Sequence, residues 1–285
     1  MGLHHVGHVV GDLAAAALRY RQLGFTVAPA AYPVLPGVAE PFGVANAHVY
    51  LTGGFVELVA AIDGRPDEAR PIPLRVPEER RAGLEAAIRA ASVAVGAFLE
   101  RFQGLHIVIA GTGDLDAVAA RLSAEGVGHG GVHAIQRPVE TASGTAMEPA
   151  RYLELTGPLP EGRVGFAENG RDSAALPVQH ANGARALVEC VLCVAGAELP
   201  AARARYRDWA GVRIVTAPEL PRLLPGERPP ALPAFAAYAV SVGDLAATER
   251  FLNGNGVPVV RTGPGEIFVP AQAALGSTII FRQGG

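Results

Sequence analysis

Lysine is absent from this chain of 285 residues, so its basic side chains are arginine and histidine. Without lysine, the chain offers neither a Schiff-base amine nor the lysine of a P-loop. Charge is sparse as well, because 24 basic and 27 acidic residues give a formal net charge of −3 and charged residues make up only 18%. We therefore expect neither nucleic acid nor a membrane surface as a partner.

Cysteine is almost as scarce. Cys190 and Cys193 both lie in the apolar segment VECVLCVAG. A zinc ribbon needs a second pair of cysteines, and residues three apart on a strand point to opposite faces. The sequence therefore predicts two buried, unreactive thiols in a reducing cytoplasm.

Long apolar runs are missing too. No segment reaches the roughly 18 consecutive apolar residues that cross a bilayer, and the N-terminal segment MGLHHVGHVV has no charged leader before an apolar stretch. We expect a cytoplasmic protein. Hydrophobic residues make up 49% of the chain, which is enough for a large core, and the length suits two domains of about 140 residues.

A short pattern recurs four times along the chain. In each copy, an apolar stretch is followed by a turn with an acidic residue before Leu, by an Ala- and Arg-rich segment and then by Gly-Val or Gly-Phe. The copies are VVGDLAAAALRYRQLGFTV from Val9, GTGDLDAVAARLSAEGV from Gly111, VAGAELPAARARYRDWAGVRIV from Val194 and SVGDLAATERFLNGNGVPVV from Ser241. The acidic residues Asp12, Asp114 and Asp244 predict helix N-caps, and the glycines after the helical segments predict helix ends.

Each repeat predicts one β-α-β-β-β unit. In the first unit, AHVYLTGGFVELVA reads as a hairpin that turns at Gly53-Gly54. In the second, GLHIVIA is the predicted first strand and RYLELTG the predicted last strand. A helix over residues 78–102 connects these two units, and the Pro- and Gly-rich stretch 156–170 marks a boundary.

The predicted fold is therefore α/β (α+β): four units form two domains, each with a curved, mainly antiparallel sheet. We place the first domain at residues 1–160, with units at 1–62 and 103–157, and the second at 161–285. The Pro-rich segment APELPRLLPGERPPALPAF of the second domain predicts an irregular loop that covers one face.

Two histidines and two glutamates occupy matched places in the first two units. His5 and His106 lie in first strands, and Glu57 and Glu154 lie in predicted last strands, with separations of 52 and 48 positions. Carboxylates in apolar strands are costly unless they are paired or bind a metal. Two imidazoles and two carboxylates suit a divalent transition metal.

These segments resemble the vicinal oxygen chelate superfamily and, within it, the glyoxalase-like domain proteins of the glyoxalase, bleomycin resistance and dioxygenase type. The resemblance lies in LHHVGHVVGDL, PFGVANAHVYL, FVELVA and QHANGARAL. It implies that His5, Glu57, His106 and Glu154 are metal ligands and that the metal is Zn, Ni, Co, Mn or Fe. The second half offers Cys190 or Val191, Ala237 or Tyr238, and Thr278 at these places, and so it lacks a metal set.

The predicted function is a metal-dependent isomerase or lyase that acts on a small oxygen-chelating substrate through an enolate-like intermediate, with Glu57 or Glu154 moving the proton. One alternative is a metal-free protein that binds a hydrophobic or aromatic small molecule. A further alternative is an oxygenase with iron on His5, His106 and Glu154. The cleft could lie within one chain or between two, so a homodimer is also an open prediction.

Overall fold

The structure is a computed structural model that describes residues 2–38, 40–74, 78–141, 144–169 and 178–284. Its strands are β1 (Leu3–Val9), β2 (Ala31–Val34), β3 (Phe42–Leu51), β4 (Gly54–Asp63), β5 (Arg70–Pro73), β6 (Gly104–Gly111), β7 (His133–Thr141), β8 (Gly144–Glu154), β9 (Arg163–Asn169), β10 (Ala184–Val194), β11 (Val212–Thr216), β12 (Ala234–Val242), β13 (Val260–Gly263), β14 (Glu266–Val269) and β15 (Thr278–Gln283). Its helices are α1 (Leu13–Gln22), α2 (Glu78–Arg101), α3 (Leu115–Ala124), α4 (Leu199–Arg205), α5 (Leu220–Leu223) and α6 (Leu245–Gly254).

Strand pairing follows one scheme in three of the four predicted units. The third unit corrects the prediction, because it has two strands, β10 and β11, which pair in parallel, and helix α5 follows where two further strands were expected. The first strand of a unit pairs in parallel with its last strand, as β1 does with β4, β6 with β9 and β12 with β15. First strands also pair with each other in antiparallel fashion, β1 with β6 and β10 with β12. Most remaining pairs are antiparallel, and one contact between Leu105 of β6 and Phe235 of β12 joins the sheets of the two halves.

The three Asp-Leu turns cap their helices as predicted. In each case Oδ1 of the aspartate accepts a hydrogen bond of 2.9 Å from a backbone N–H three residues on, and this satisfies one free donor of the first turn. The glycines that follow the helices adopt the left-handed conformation that stops them. The capping residues are Asp12, Asp114 and Asp244, and the glycines are Gly24 (φ 86°), Gly126 (φ 69°) and Gly256 (φ 68°).

The hairpin and the connecting helix also follow the prediction. Leu51 pairs with Gly54 across the predicted turn, and Gly53 has φ 77°. Helix α2 packs its inner face on β3 and β4, with Val95 fully inside. By length and hydropathy, its segment Glu79–Arg101 could cross a membrane, and only 6% of the apolar 18-residue stretch within it is buried. The expectation that no segment is long and apolar enough for a bilayer is thus wrong.

Strand β9 corrects the predicted end of the second unit. RYLELTG falls in β8, and the strand that pairs in parallel with β6 is β9, at Arg163–Asn169. The glycines and prolines of the stretch 156–170 are typical of a linker, yet residues 163–169 within it form strand β9. The sheet of the first half therefore continues past residue 160, while the division into two independent domains stays a prediction.

The second half fills the face of its sheet with apolar side chains. Ala237 and Ile280, on β12 and β15, form one buried cluster with Leu220 and Leu224, which belong to the Pro-rich segment. That segment therefore covers one face, as predicted, but it is not irregular throughout, because it contains helix α5. Cys190 and Cys193 are buried free thiols in different core clusters, consistent with their predicted opposite faces, and burial raises the pKa of the Cys193 thiol to about 11.

Candidate functional site

The first half holds a cavity of about 470 Å³ that lies over the central strands β1, β4, β6 and β9. Side chains from both units line it, and the lining is more apolar than polar. Three of the four predicted site residues, His5, Glu57 and Glu154, reach this cavity. A mostly apolar cavity with a few convergent polar groups is the usual form of a small-molecule site.

Glu57 is held in place by the neighbouring strand of its hairpin. Asn46 Nδ2 donates a hydrogen bond of 2.9 Å to Oε1 of Glu57, and His48 Nε2 lies 3.8 Å from the same oxygen. The Glu57 side chain is 19% exposed, so it is open to the cavity and still largely shielded from bulk water. An oriented, partly desolvated carboxylate can accept a proton from a substrate placed against it.

Aromatic rings form one wall of the cavity. The ring of His5 stacks on Phe55 with centroids 4.5 Å apart and an interplanar angle of 7°. His48 meets Phe55 edge-on at 5.1 Å and stacks on Tyr50 at 5.4 Å. The Nδ1 atoms of His4 and His5 are 2.7 Å apart, so one ring donates a hydrogen bond to the other. This wall suits a flat or partly unsaturated molecule.

The second unit contributes a different polar group. Arg163 on β9 forms an ion pair with Glu154 on β8, and both line the cavity. Burial opposes the charge of the Arg163 guanidinium, but the hydrogen bond to Glu154 and the nearby charges of Glu154 and Glu57 raise its pKa. Burial and the charge of Glu154 also raise the pKa of Tyr152 beside them.

His106 does not reach the cavity. Its Nε2 lies 2.8 Å from the carbonyl oxygen of Phe102, and its ring packs between Phe98 and Phe102, with centroid distances of 4.9 and 4.1 Å. The side chain is fully buried, and this burial lowers the pKa of the imidazole to about 4. The predicted quartet is therefore corrected, because one of its histidines lies elsewhere.

Strand register explains the correction. His5 pairs with Phe55 and Gly7 with Glu57, while Ile107 pairs with Arg163 and Ile109 with Gly165. Ile107 lies seven residues before the capping Asp114, as His5 lies seven residues before Asp12, so Ile107 occupies the place of His5 in the second unit and Gly165 the place of Glu57.

Two local features misled the spacing argument. The pairing of β1 with β6 skips His106 between Leu105 and Ile107 and, in the same way, His4 between Leu3 and His5, which marks a β-bulge in each strand, so His106 corresponds to His4 and not to His5. Glu154 pairs with Gly165 as His48 pairs with Glu57, so Glu154 corresponds to His48 and not to Glu57. Similar separations along the chain therefore do not mean equivalent positions in the sheet.

These positions bear directly on the predicted metal. A centre of two imidazoles and two carboxylates needs a ligand at the positions of Ile107 and Gly165, and neither residue can supply one. In the described parts of the chain, no group of three or more His, Cys, Asp or Glu side chains is arranged to hold a metal ion. The predicted divalent metal therefore does not fit this donor set.

Sequence reasoning missed three residues of the site, Asn46, His48 and Arg163. Asn46 lies within β3 and orients Glu57. The hairpin at Gly53-Gly54 contained the signal for His48, since extending its register places His48 opposite Glu57. Arg163 carried no such signal, because β9 was not predicted.

The segment around His180 has a structural role. His180 Nδ1 accepts from the backbone N–H of Thr26 at 3.0 Å, and its Nε2 lies 2.9 Å from the carbonyl oxygen of Tyr50. Asn182 Nδ2 donates to the carbonyl oxygen of Leu23 at 2.8 Å. These contacts connect the segment after the second unit to the first unit, outside the cavity.

Comparison with solved structures confirms the fold class, an α/β chain with a curved and mainly antiparallel sheet. The chain is similar to a hypothetical protein from Staphylococcus aureus, at 11% identity over 99% of each chain with a TM-score of 0.57. It is also similar to a triple mutant of 4-hydroxymandelate synthase from Streptomyces coelicolor, at 15% identity over all of this chain and 93% of that one, with a TM-score of 0.56. A xylose isomerase-like TIM barrel/4-hydroxyphenylpyruvate dioxygenase fusion protein matches all of this chain with 49% of its own length, at 13% identity and a TM-score of 0.51.

The family model described as a glyoxalase-like domain matches residues 3–210, and the chain therefore belongs to the glyoxalase-like domain family. This confirms the resemblance drawn from the sequence motifs. A search of curated proteins gives no match.

Proposed function

We propose that this protein is an enzyme of the glyoxalase-like class that moves a proton on a small substrate with two adjacent oxygens, as an isomerase or lyase does. The observation that carries the proposal is the Glu57 carboxylate, fixed by Asn46 inside a mostly apolar cavity. Membership of the glyoxalase-like family supports the same class. The metal predicted from the sequence has no part in this proposal, because the residues present do not fit it.

The chemistry assigned to the cavity is a proton transfer. Glu57 accepts a proton from a carbon next to a carbonyl group, and the electron pair stays on the substrate as an enolate. His48, 3.8 Å from the same carboxylate oxygen, is placed to exchange that proton onward. The apolar lining keeps water from competing for Glu57 and strengthens its interaction with the substrate.

Binding without chemistry is the second candidate, and the aromatic wall favours it. Tyr50, Phe55 and the imidazoles of His5 and His48 present stacked and edge-on rings to one cavity. Such a wall can hold a planar molecule whether or not Glu57 removes a proton. The iron oxygenase alternative loses support, because its proposed ligand His106 lies outside the cavity.

Hydrogen–deuterium exchange separates the two candidates. Small 2-hydroxy and 2-oxo acids are incubated with the protein in D₂O, and NMR follows deuterium uptake at the carbon next to the carbonyl. We expect wild-type protein to catalyse the exchange of at least one compound and Glu57→Gln to bind that compound without exchanging it. Glu100→Gln, on the exposed side of α2, is the matched control and should behave as wild type. Binding without exchange in wild-type protein favours the second candidate, and equal exchange by Glu57→Gln contradicts the assigned base.

A further inference from the structure

Arg163 takes the place in the second unit that Phe55 takes in the first. Both residues pair with a first strand in the same parallel register, Phe55 with His5 and Arg163 with Ile107. Phe55 is part of the aromatic wall, whereas Arg163 brings a guanidinium group to the same cavity. The two-fold repeat thus places an aromatic ring on one side and a fixed cation on the other.

Carboxylates anchor this cation. Glu154 forms an ion pair with Arg163, and the charge of Glu57 acts on Arg163 as well. The Arg163 side chain is 44% exposed, so the pair with Glu154 leaves part of the guanidinium open to the cavity. A guanidinium has five N–H donors in a planar fork, and one carboxylate does not use all of them.

We infer that Arg163 is the group that binds the two adjacent oxygens of the substrate and stabilises the enolate formed at Glu57, the task for which a metal was predicted. This inference rests on the proposed function. The substrate class it names is a small 2-hydroxy or 2-oxo acid, or a similar compound with two oxygens on neighbouring carbons. The planar guanidinium can donate to both oxygens at once, a geometry that arginine offers and a single point charge does not.

The chemical step balances without any co-reactant. The bond between carbon and hydrogen breaks and the proton moves to a carboxylate oxygen of Glu57. The electron pair of that bond forms the carbon–carbon double bond of the enolate, and the π pair of the carbonyl group moves to its oxygen, which becomes the oxyanion. Arg163 donates N–H hydrogen bonds to that oxyanion, and the proton then returns to carbon or oxygen of the substrate. Nothing is oxidised or reduced. A fixed donor aimed at developing charge is among the strongest contributions to such a step.

Oxalate provides the test, because it is a planar dianion with adjacent oxygens and resembles the enolate. Protein is dialysed against EDTA, and oxalate binding is measured by isothermal titration calorimetry. We expect wild-type protein to bind oxalate without metal and Arg163→Gln to bind it at least about 10-fold more weakly, which corresponds to about 1.4 kcal/mol. Gln can still donate to Glu154, so the variant keeps a partner for that carboxylate. Arg207→Gln, a change at an exposed arginine on the surface, is the control and should bind as wild type.

A second variant should change the affinity for oxalate in the opposite direction. Glu154→Gln removes the carboxylate that competes for Arg163, so it should bind oxalate several-fold more tightly than wild type. The inference is overturned if oxalate binds only after Zn, Ni, Co, Mn or Fe is added, if wild-type protein does not bind it, or if both variants bind as wild type. Oxalate binding through Arg163 with no deuterium exchange would instead contradict the proposed proton transfer and leave Arg163 as the anion-binding group of a binding protein.

Discussion

The imidazole of His48 faces the carboxylate of Glu57 across the β3–β4 hairpin, with 3.8 Å between Nε2 and Oε1. Asn46, two residues before His48 on the same face of β3, donates to that same oxygen at 2.9 Å. One strand therefore supplies both of these polar neighbours of the assigned base.

Replacing Asn46 tests how much the fixed orientation of the Glu57 carboxylate contributes to the rate of deuterium exchange. In Asn46→Ala, Glu57 keeps its charge but loses the hydrogen bond that fixes it. We expect the maximal rate of deuterium exchange to fall roughly 10-fold, the size of one hydrogen bond to a charged group, with little change in substrate affinity. The control Asn253→Ala, at an exposed position of α6, should leave both quantities unchanged. A change in affinity alone would show that Asn46 contacts the substrate instead of orienting Glu57.

The helices and the hairpin were predictable because their signals are local. A helix cap such as Asp12 needs only the next three residues, and the turn at Gly53-Gly54 fixes the register of its own two strands. The quartet failed because it depended on register between distant strands. His106 occupies the bulged position that His4 occupies in β1, so it is not the equivalent of His5, and Glu154 lies on the strand before β9, so it is not the equivalent of Glu57. The separations of 52 and 48 positions between histidine and glutamate show neither fact.

Acid should destabilise the fold through His8. This side chain is fully buried, with Nδ1 2.7 Å from the hydroxyl of Tyr20 and Nε2 2.8 Å from the carbonyl oxygen of Leu275. Burial is the main cause that lowers the pKa of His8 from 6.5 to about 4, and the nearby His106 lowers it further. Since the folded pKa lies below the unfolded one, the stabilisation is complete above pH 6.5 and is lost as pH falls toward 4, by about 3 kcal/mol at most.

Urea unfolding at pH 7 and pH 5 measures this loss. We expect the free energy of unfolding of wild-type protein to fall between the two values. His8→Gln should be less stable at pH 7 but lose less on acidification, because one titrating group is gone while His106 still contributes in the same direction. His133→Gln, at an exposed histidine, should follow the wild-type pH dependence. An identical drop in His8→Gln and wild type would contradict the assignment to His8.

A buried carboxylate connects the two halves away from the cavity. Oε1 of Glu161, just before β9, accepts hydrogen bonds from Arg205 at 2.6 Å and from the hydroxyl of Tyr206 at 2.7 Å, and the Glu161 side chain is only 2% exposed. Glu161→Gln should lower the free energy of unfolding by about 2 kcal/mol, because a charge-assisted buried bond is weakened. Glu125→Gln, which removes partly exposed ion pairs with Arg207 and Arg121, should cost less than about 1 kcal/mol. Equal losses of unfolding free energy in the two variants would mean that the buried hydrogen bonds of Glu161 stabilise the fold no more than an exposed ion pair does.

The place of Ile107 allows a direct test of the corrected metal assignment. Because Ile107 has the strand position of His5 and lines the same cavity, Ile107→His adds an imidazole beside His5 and Glu57. We expect the variant to bind Ni²⁺ at least about 10-fold more tightly than wild-type protein in calorimetric titration, since three donors replace two. The fourth position cannot be rebuilt in the same way, because a Cβ atom on Gly165 would lie 2.3 Å from the carbonyl oxygen of Leu153. If wild-type protein binds Ni²⁺ as tightly as Ile107→His does, the cavity already contains a metal site. A metal ion would then again be part of the proposed reaction.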